Sequence, residues 1–256
     1  MTAVEVRNLT IGYGSRVIQK NLNFKIQSGS IVCILGGSGC GKSTLLKHLI
    51  GLYLPMTGDI LLNGKSMVHT TENERRLLMR QFGVAYQSGA LFRAMSVFEN
   101  IALPMREYTK LTEEEIRKRV EEKLSLVNLS GFGSYMPSDL SGGMIKRAAF
   151  ARALALDPDI LFFDEPSAGL DPISSANLDK LILSIRKKTG ATILVVTHEL
   201  SSIFTIADRA LVLGAHAGGL IADGAPEYLR EHSDVPFVRD LLNRTAEGAG
   251  PAERSI

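Results

Sequence analysis

Eight consecutive residues carry the first chemistry: Gly36-Gly37-Ser38-Gly39-Cys40-Gly41-Lys42-Ser43. Four are glycines, which lets successive backbone N–H groups converge on one anion with no β-carbon in the way. The apolar run Ile31–Leu35 enters this loop and a helical pattern, Lys42–Gly51, leaves it. The helix N-terminus adds its partial positive charge to the amides. The pattern is GxxxxGK followed by Ser, a phosphate loop that directs Lys42 at the β- and γ-phosphates and the Ser43 hydroxyl at Mg2+. Thr44 completes the set of expected nucleotide contacts. A second apolar run, Ile160–Phe163, ends in Asp164 and Glu165. Asp164 is placed to hold the metal. Glu165 stands at the strand's C-terminal end, where active sites of open α/β sheets gather, and can orient and deprotonate a water. The chemistry is nucleotide hydrolysis. Kinases and motor ATPases share these parts; a GTPase would need a guanine-reading NKxD motif, and the sequence has none.

Strand-like apolar runs recur along the chain at Val4–Val6, Ile31–Leu35, Ile60–Leu62, Gly83–Tyr86, Ile160–Phe163, Thr192–Val196 and Ala210–Leu213. Helical patterns lie between several of them, among them Ser175–Lys188. Alternation of strand and helix predicts an α/β fold whose mainly parallel sheet is covered on both faces. From about Ser88 to Leu156 the pattern is helical instead. Thr112 and Glu115 form a capping box, and Ile116, Val120, Leu124 and Val127 then make one apolar stripe. The Glu and Lys/Arg on its other face read as solvated i,i+4 pairs, not as a nucleic-acid surface.

The chain has 256 residues, 45% hydrophobic and 22% charged, with 29 Lys+Arg against 27 Asp+Glu. A net charge of +2 gives no basic face for nucleic acid. Cys33 and Cys40 are too few for a disulfide framework and suit a reducing compartment. Cys40 reads as a tolerated small residue of the loop. The histidines, His48, His69, His198, His216 and His232, show no metal-ligand spacing. No apolar run approaches the ~20 residues of a membrane span. The N-terminus, MTAVEVRN, is not patterned as a signal peptide.

Leu140-Ser141-Gly142-Gly143-Met144 narrows the class. Ser141 is a good N-cap, and Gly142 and Gly143 open the helix that follows, a second anion-binding helix end. With this stretch the chain resembles the ATP-binding cassette (ABC) ATPases, whose signature is usually LSGGQ. The resemblance covers about residues 3–230 and follows the family's motif order. It implies roles for Gln87 as the Q-loop glutamine, near metal and water, for Ser167-Ala168-Gly169-Leu170-Asp171 as the D-loop, for His198 as the switch histidine at the γ-phosphate, and for Tyr13 as the aromatic that stacks on adenine. It also implies a fold: a P-loop core with a mainly parallel sheet, an antiparallel β subdomain and an inserted helical subdomain. The expected divisions are a core of 1–88 and 157–235, a helical insert of 89–156 bearing the signature, and a C-terminal extension of 236–256.

The same resemblance implies ATP and Mg2+ as cofactors, and a head-to-tail pair of copies in which Ser141, Gly142 and Gly143 close over the other copy's nucleotide. A permease would supply the missing membrane spans. Gln87-Ser88-Gly89-Ala90-Leu91-Phe92 and Met95-Ser96-Val97-Phe98-Glu99-Asn100 read as core of the insert and as lining for a permease helix. QSGALF, SVFENIALPM and the Met144 variant of the signature look like the ATPase subunit of Mla/Mce-type lipid transporters. That branch implies phospholipid movement between inner and outer membranes from the cytoplasmic face of the inner membrane, with a periplasmic MCE-domain protein and a STAS-domain protein as further partners. An ATPase for a polar-solute transporter and a nontransport ATPase are the alternatives. Val235, Phe237, Val238, Leu241 and Leu242 are expected to contact a neighbouring ATPase or the small partner, and the polar tail after Leu242 to fray.

Overall fold

The structure, a computed structural model, describes residues 1–216 and 218–244. A long antiparallel hairpin opens the chain, β1 (Thr2–Tyr13) with β2 (Arg16–Gln27), followed by β3 (Ile31–Gly36) and α1 (Lys42–Leu49). Next come β4 (Thr57–Leu62), β5 (Lys65–Ser66), α2 (Glu72–Met79) and β6 (Phe82–Ala85). The region after β6 contains α3 (Val97–Tyr108), α4 (Glu113–Leu126), a single 3-10 turn at Pro137–Asp139 and α5 (Gly142–Ala153). The chain then returns through β7 (Ile160–Asp164), α6 (Pro172–Thr189), β8 (Thr192–Val196), α7 (Leu200–Ile206), β9 (Arg209–Leu213) and β10 (Leu220–Gly224) to α8 (Pro226–His232) and α9 (Pro236–Asn243).

Two sheets result. One has the order β2-β1-β4-β5 and is antiparallel. The other runs β10-β9-β3-β8-β7-β6, parallel except for the edge strand β10. Side chains of the parallel strands alternate between two cores, as the period of a strand requires. Ile31, Cys33, Leu35, Leu161, Phe163, Ile193 and Val195 face the helices, in one cluster with residues of α3 to α7. Val32, Ile34, Ile160, Phe162, Leu194 and Val196 face α1 and the antiparallel sheet. Being buried on both sides explains why these strands are continuous apolar runs.

The hairpin is longer than the short run Val4–Val6 suggests. β2 alternates buried Leu22, Phe24 and Ile26 with exposed Asn23, Lys25 and Gln27, the signature of a strand covered on one face only. In α4 the capping box forms, with Thr112 bonded to the Glu115 amide and carboxylate. Ile116, Val120, Leu124 and Val127 are all buried, and Glu113, Glu114, Arg117, Lys118, Glu121 and Glu122 are exposed. Lys123 departs from that face: it is buried and paired to Asp157.

The C-terminal apolar cluster requires a correction. Val238 and Leu242 pack into the chain's own core, 0% and 2% exposed, so they are not available to a neighbouring chain. The polar tail beyond residue 244 lies outside the described residues.

Candidate functional site

The phosphate loop is bent by backbone geometry that its glycines alone tolerate. Gly36 has φ 147°, and a β-carbon there would stand 2.7 Å from the Leu213 carbonyl oxygen and 2.6 Å from Cys40 Sγ. Gly41, at φ 101°, is the N-cap of α1 and leaves its helix without a side-chain cap. The amides of the first turn are therefore free to meet an anion. Lys42 Nζ rests on two loop carbonyls, Gly36 at 2.9 Å and Gly37 at 3.1 Å. Ser38 and Gly39 are exposed at the tip. Cys40 is buried, and burial pushes its thiol above the usual range, against reactivity.

β7 delivers Asp164 and Glu165. Asp164 Oδ1 is buried without a hydrogen-bond partner among the described residues. Desolvation raises its pKa, with the Glu165 charge adding to the effect and Lys47, the Ser43 hydroxyl and Lys146 opposing it. An unpaired buried carboxylate oxygen beside a loop-helix hydroxyl has the oxygen chemistry of a magnesium site that draws its other ligands from phosphates and water. No group of three or more His, Cys, Asp or Glu forms a metal cage among the described residues.

Glu165 has φ 46°, a left-handed conformation that a non-glycine residue adopts at a cost of about 1–3 kcal/mol. Its amide still bonds the Val196 carbonyl at 2.8 Å, and its carbonyl receives the Ala168 amide at 3.2 Å. Fixed this way, its carboxylate meets His198 Nδ1 at 2.9 Å. An ionised carboxylate only accepts, so the tautomer that makes this bond is the one with its proton on Nδ1. Glu165 is largely covered, at 14% side-chain exposure, whereas His198 is open at 69%.

Gln87, next after Ala85-Tyr86, shares a cleft with Asp164, Lys146, Gly142 and Ala168. Ser141 caps α5, accepting the Met144 amide at 3.4 Å, and its hydroxyl proton remains free to be donated. Tyr13 is 41% exposed at the end of β1, its hydroxyl 3.2 Å from Thr44 Oγ1. The sequence-predicted residues of the phosphate loop, Asp164, Glu165, Gln87 and His198 are thus gathered at the C-terminal ends of the parallel strands. Ser141, Gly142 and Gly143 sit at the start of α5, where Gly142 lines the Gln87 cleft.

Four residues of the site carry no motif. Gln19 on β2 is fully buried; its amide donates to the Cys40 carbonyl at 2.8 Å and the Gly214 carbonyl at 2.6 Å, and accepts the Gly219 amide at 2.8 Å. It ties the phosphate loop to the turn after β9. Lys146 on α5 donates to the Gln87 carbonyl, and burial lowers its pKa against the pull of Glu165 and Asp164. Arg152, two turns on, bonds the carbonyls of Ala90 at 2.7 Å and Gly89 at 3.1 Å. Tyr53 meets Tyr13 edge to face, centroids 5.4 Å apart. The signal for Lys146 and Arg152 is their place on the helix that follows the signature; for Gln19 and Tyr53 there is none.

α5 is also locked to the catalytic strand. Phe150 stacks on Phe163, the residue before Asp164, with centroids 4.1 Å apart and planes 8° from parallel. Gly83 on β6 permits close approach, since a β-carbon there would lie 1.9 Å from the Ala153 carbonyl oxygen.

Comparison with known proteins agrees with this geometry. Residues 19–168 match the ABC transporter family. The chain is 42% identical, over 97% of its length and 92% of the relative's, to the intermembrane phospholipid transport system ATP-binding protein MlaF of Haemophilus influenzae. It is 44% identical, over 94% of its length and 69% of the relative's, to a probable ribonucleotide transport ATP-binding protein of Mycobacterium leprae. Among solved structures, CbiO1 of Clostridium perfringens, part of an ABC transporter complex, superposes with a TM-score of 0.82 at 30% identity, covering 94% of this chain and 95% of that one. A dimeric ATP-binding cassette in a post-hydrolysis state with ADP and Pi gives 0.76 at 29% identity over 87% and 98%. A phosphate loop, a paired Glu165 and His198, and a signature helix joined to the catalytic strand, in a chain with these relatives, place it in the ABC transporter family, as an ATP-hydrolysing ATP-binding subunit.

Proposed function

We propose that the chain powers movement of phospholipid, or a related lipid, between the inner and outer membranes. The observation that carries this reading is 42% identity over nearly the whole chain to a relative named for intermembrane phospholipid transport. The Met144 signature supports it. No described helix is long and apolar enough to cross a membrane. In this reading the chain works at the cytoplasmic face of the inner membrane through a permease, beside a periplasmic MCE-domain protein and a STAS-domain protein.

In this reading the loop amides and Lys42 hold the ATP phosphates, and Tyr13 receives the base. Ser43, Asp164 and Gln87 hold Mg2+, which when bound offsets phosphate charge. Glu165 accepts the proton of the attacking water while His198 holds its carboxylate and reaches the γ-phosphate. Ser141, Gly142 and Gly143 complete the site of a second copy; dimeric relatives support that arrangement. The helical segment 89–156 moves with the permease against the core of 1–88 and 157–235. Phe92, 52% exposed, and the shallow cleft of Leu91, Arg93, Ser138 and Ile145 are the contact surface.

A second reading, transport of a polar solute, has the mycobacterial relative in its favour. The test is the membrane complex isolated through a tag on this chain. Copurification of an MCE-domain protein and ATP-dependent phospholipid transfer between vesicles are expected. ATP hydrolysis stimulated by ribonucleotide and indifferent to lipid would overturn the lipid assignment.

A further inference from the structure

The last described helix touches the phosphate loop, and the residue that follows it bonds the neighbour of His198. α9 lies outside the segment matched by the family, residues 19–168. Val238 and Leu242 anchor it in the core. Asn243 closes on the helix, its amide donating to the Arg239 carbonyl at 2.9 Å, and Arg239 bonds the Ser233 carbonyl. From this fixed position the Phe237 ring reaches the phosphate loop. Its Cζ is 3.6 Å from a β-carbon built on Gly37. At the other end, Arg244 follows the helix in a left-handed conformation, φ 56°, and bonds Glu199 Oε1 at 3.1 Å. Glu199 is the neighbour of His198 and the N-cap of α7.

Seven residues separate Phe237 from Arg244. That is close to two helical turns, about 10 Å of rise, so the two contacts fall at opposite ends of the helix. We propose that α9 is a two-point brace for ATP hydrolysis, with Phe237 and Arg244 as positioning residues for the phosphate loop and the switch loop.

The physical need is clear at both ends. A loop with glycines at 36, 37, 39 and 41 has few side chains of its own to pack, and its amides bind phosphate well only when already aligned. An aromatic ring resting on Gly37 restricts it. The Arg244 ion pair is exposed, 67% and 39% for its two side chains, so it adds little to stability. Its effect is orientation: together with the Ser201 hydroxyl, which donates to the same oxygen at 3.0 Å, it holds Glu199, and with it the direction in which His198 leaves the strand toward Glu165. Neither residue touches nucleotide. The inference rests on ATP hydrolysis by this chain and is independent of the cargo.

The test uses the membrane complex carrying the full-length chain and measures KM for ATP and kcat separately. Phe237→Ala is expected to raise KM roughly 3–10-fold with kcat within about twofold, since it loosens ground-state phosphate binding. Arg244→Ala is expected to lower kcat roughly 3–10-fold with KM within about twofold, since it acts where charge develops. Phe237→Leu and Arg244→Lys should each recover most of the loss. If Phe237→Ala and Arg244→Ala leave both constants unchanged, α9 is no brace. Equal losses in KM and kcat that follow the melting temperature, with no rescue by Phe237→Leu, would reduce the helix to a purely structural role and also overturn the proposal.

Discussion

His198 Nδ1 lies 2.9 Å from the Glu165 carboxylate, a bond made by a residue whose backbone sits in the left-handed region to make it. The strain is held by the Glu165 amide's bond to Val196 and the turn bond from the Ala168 amide, and it aims the side chain at the imidazole on the neighbouring strand's exit. Glu165→Gln keeps the shape and removes the base. Turnover should fall by about 10²–10⁴-fold, the usual contribution of a general base. ATP binding should persist, and the trapped species should elute as a dimer. Unchanged phosphate release in single-turnover assays would remove Glu165 from the role.

Lys42 is held in place by the loop it serves, through the Gly36 and Gly37 carbonyls. Phosphate must compete for this ammonium. Lys42→Ala should leave the fold intact, because the part-buried bonds it loses all lie within the loop itself, yet raise Kd for ATP at least about tenfold, the equivalent of one charge-assisted hydrogen bond of roughly 1.5–3 kcal/mol. Titration calorimetry reads the outcome; wild-type affinity would contradict the phosphate role.

Asp164 is ionised at a thermodynamic disadvantage. Its pKa is raised, first by burial and then by Glu165. A carboxyl with a folded-state pKa above its unfolded value favours the fold while protonated, and this contribution is lost as pH rises through the folded value. Without nucleotide and metal, Asp164→Asn should therefore melt higher than the parent at neutral pH. The difference should shrink toward low pH. Mg2+ with ATP should stabilise the parent and leave the variant much less affected. A lower melting point for Asp164→Asn in metal-free buffer would show that the carboxylate is paired after all.

What the sequence makes legible is set by how locally each residue's work is written. The loop from Gly36 to Ser43 acts through backbone amides of adjacent residues, so spacing alone displays it. The strands β3, β7 and β8 are buried on both faces and read as unbroken apolar runs. β2 is as long as β1 but covered on one side, so Asn23 and Lys25 interrupt the apolar run and hide it from that criterion. Gln19 occupies a strand position where glutamine ordinarily meets water. Its partners Cys40, Gly214 and Gly219 lie far along the chain and converge only after both sheets have formed. The C-terminal cluster shows the converse error. Val238 and Leu242 have the spacing of an apolar face, but spacing cannot say whether a face is covered from within the chain or by another chain.

Tyr13 and Tyr53 form a perpendicular aromatic corner, 5.4 Å between centroids. Stacked or edge-on aromatic contacts contribute about 0.5–1.5 kcal/mol each beyond buried area. Tyr13→Ala should weaken ATP binding roughly 3–10-fold and Tyr53→Ala less, because Tyr53 supports the platform from behind. A fluorescent ATP analogue titrated into both variants checks the order. Equal affinity for parent and Tyr13→Ala would remove the stacking assignment.

Lys146 separates mechanical coupling from simple stability. It sits on the signature helix, donates to the Gln87 carbonyl and faces the charges of Asp164 and Glu165, while burial works against its own charge. Replacing a buried, partly compensated ion with an apolar side chain of similar reach is often neutral or stabilising. Lys146→Met should therefore melt no lower than the parent. The Phe150–Phe163 stack and the Gly83–Ala153 approach still fasten α5 to the core. What disappears is the link between the helix and the Q-loop backbone at residue 87, leaving Arg152 to hold only Gly89 and Ala90. Hydrolysis by the isolated chain should change little, and the part of the rate that depends on the permease should drop several-fold, since in the proposed arrangement the permease docks on the Q-loop side of the helical segment. Comparing ATPase rates with and without the membrane subunits measures this directly. A proportional loss in both rates, tracking a lower melting temperature, would show that Lys146 merely supports the fold.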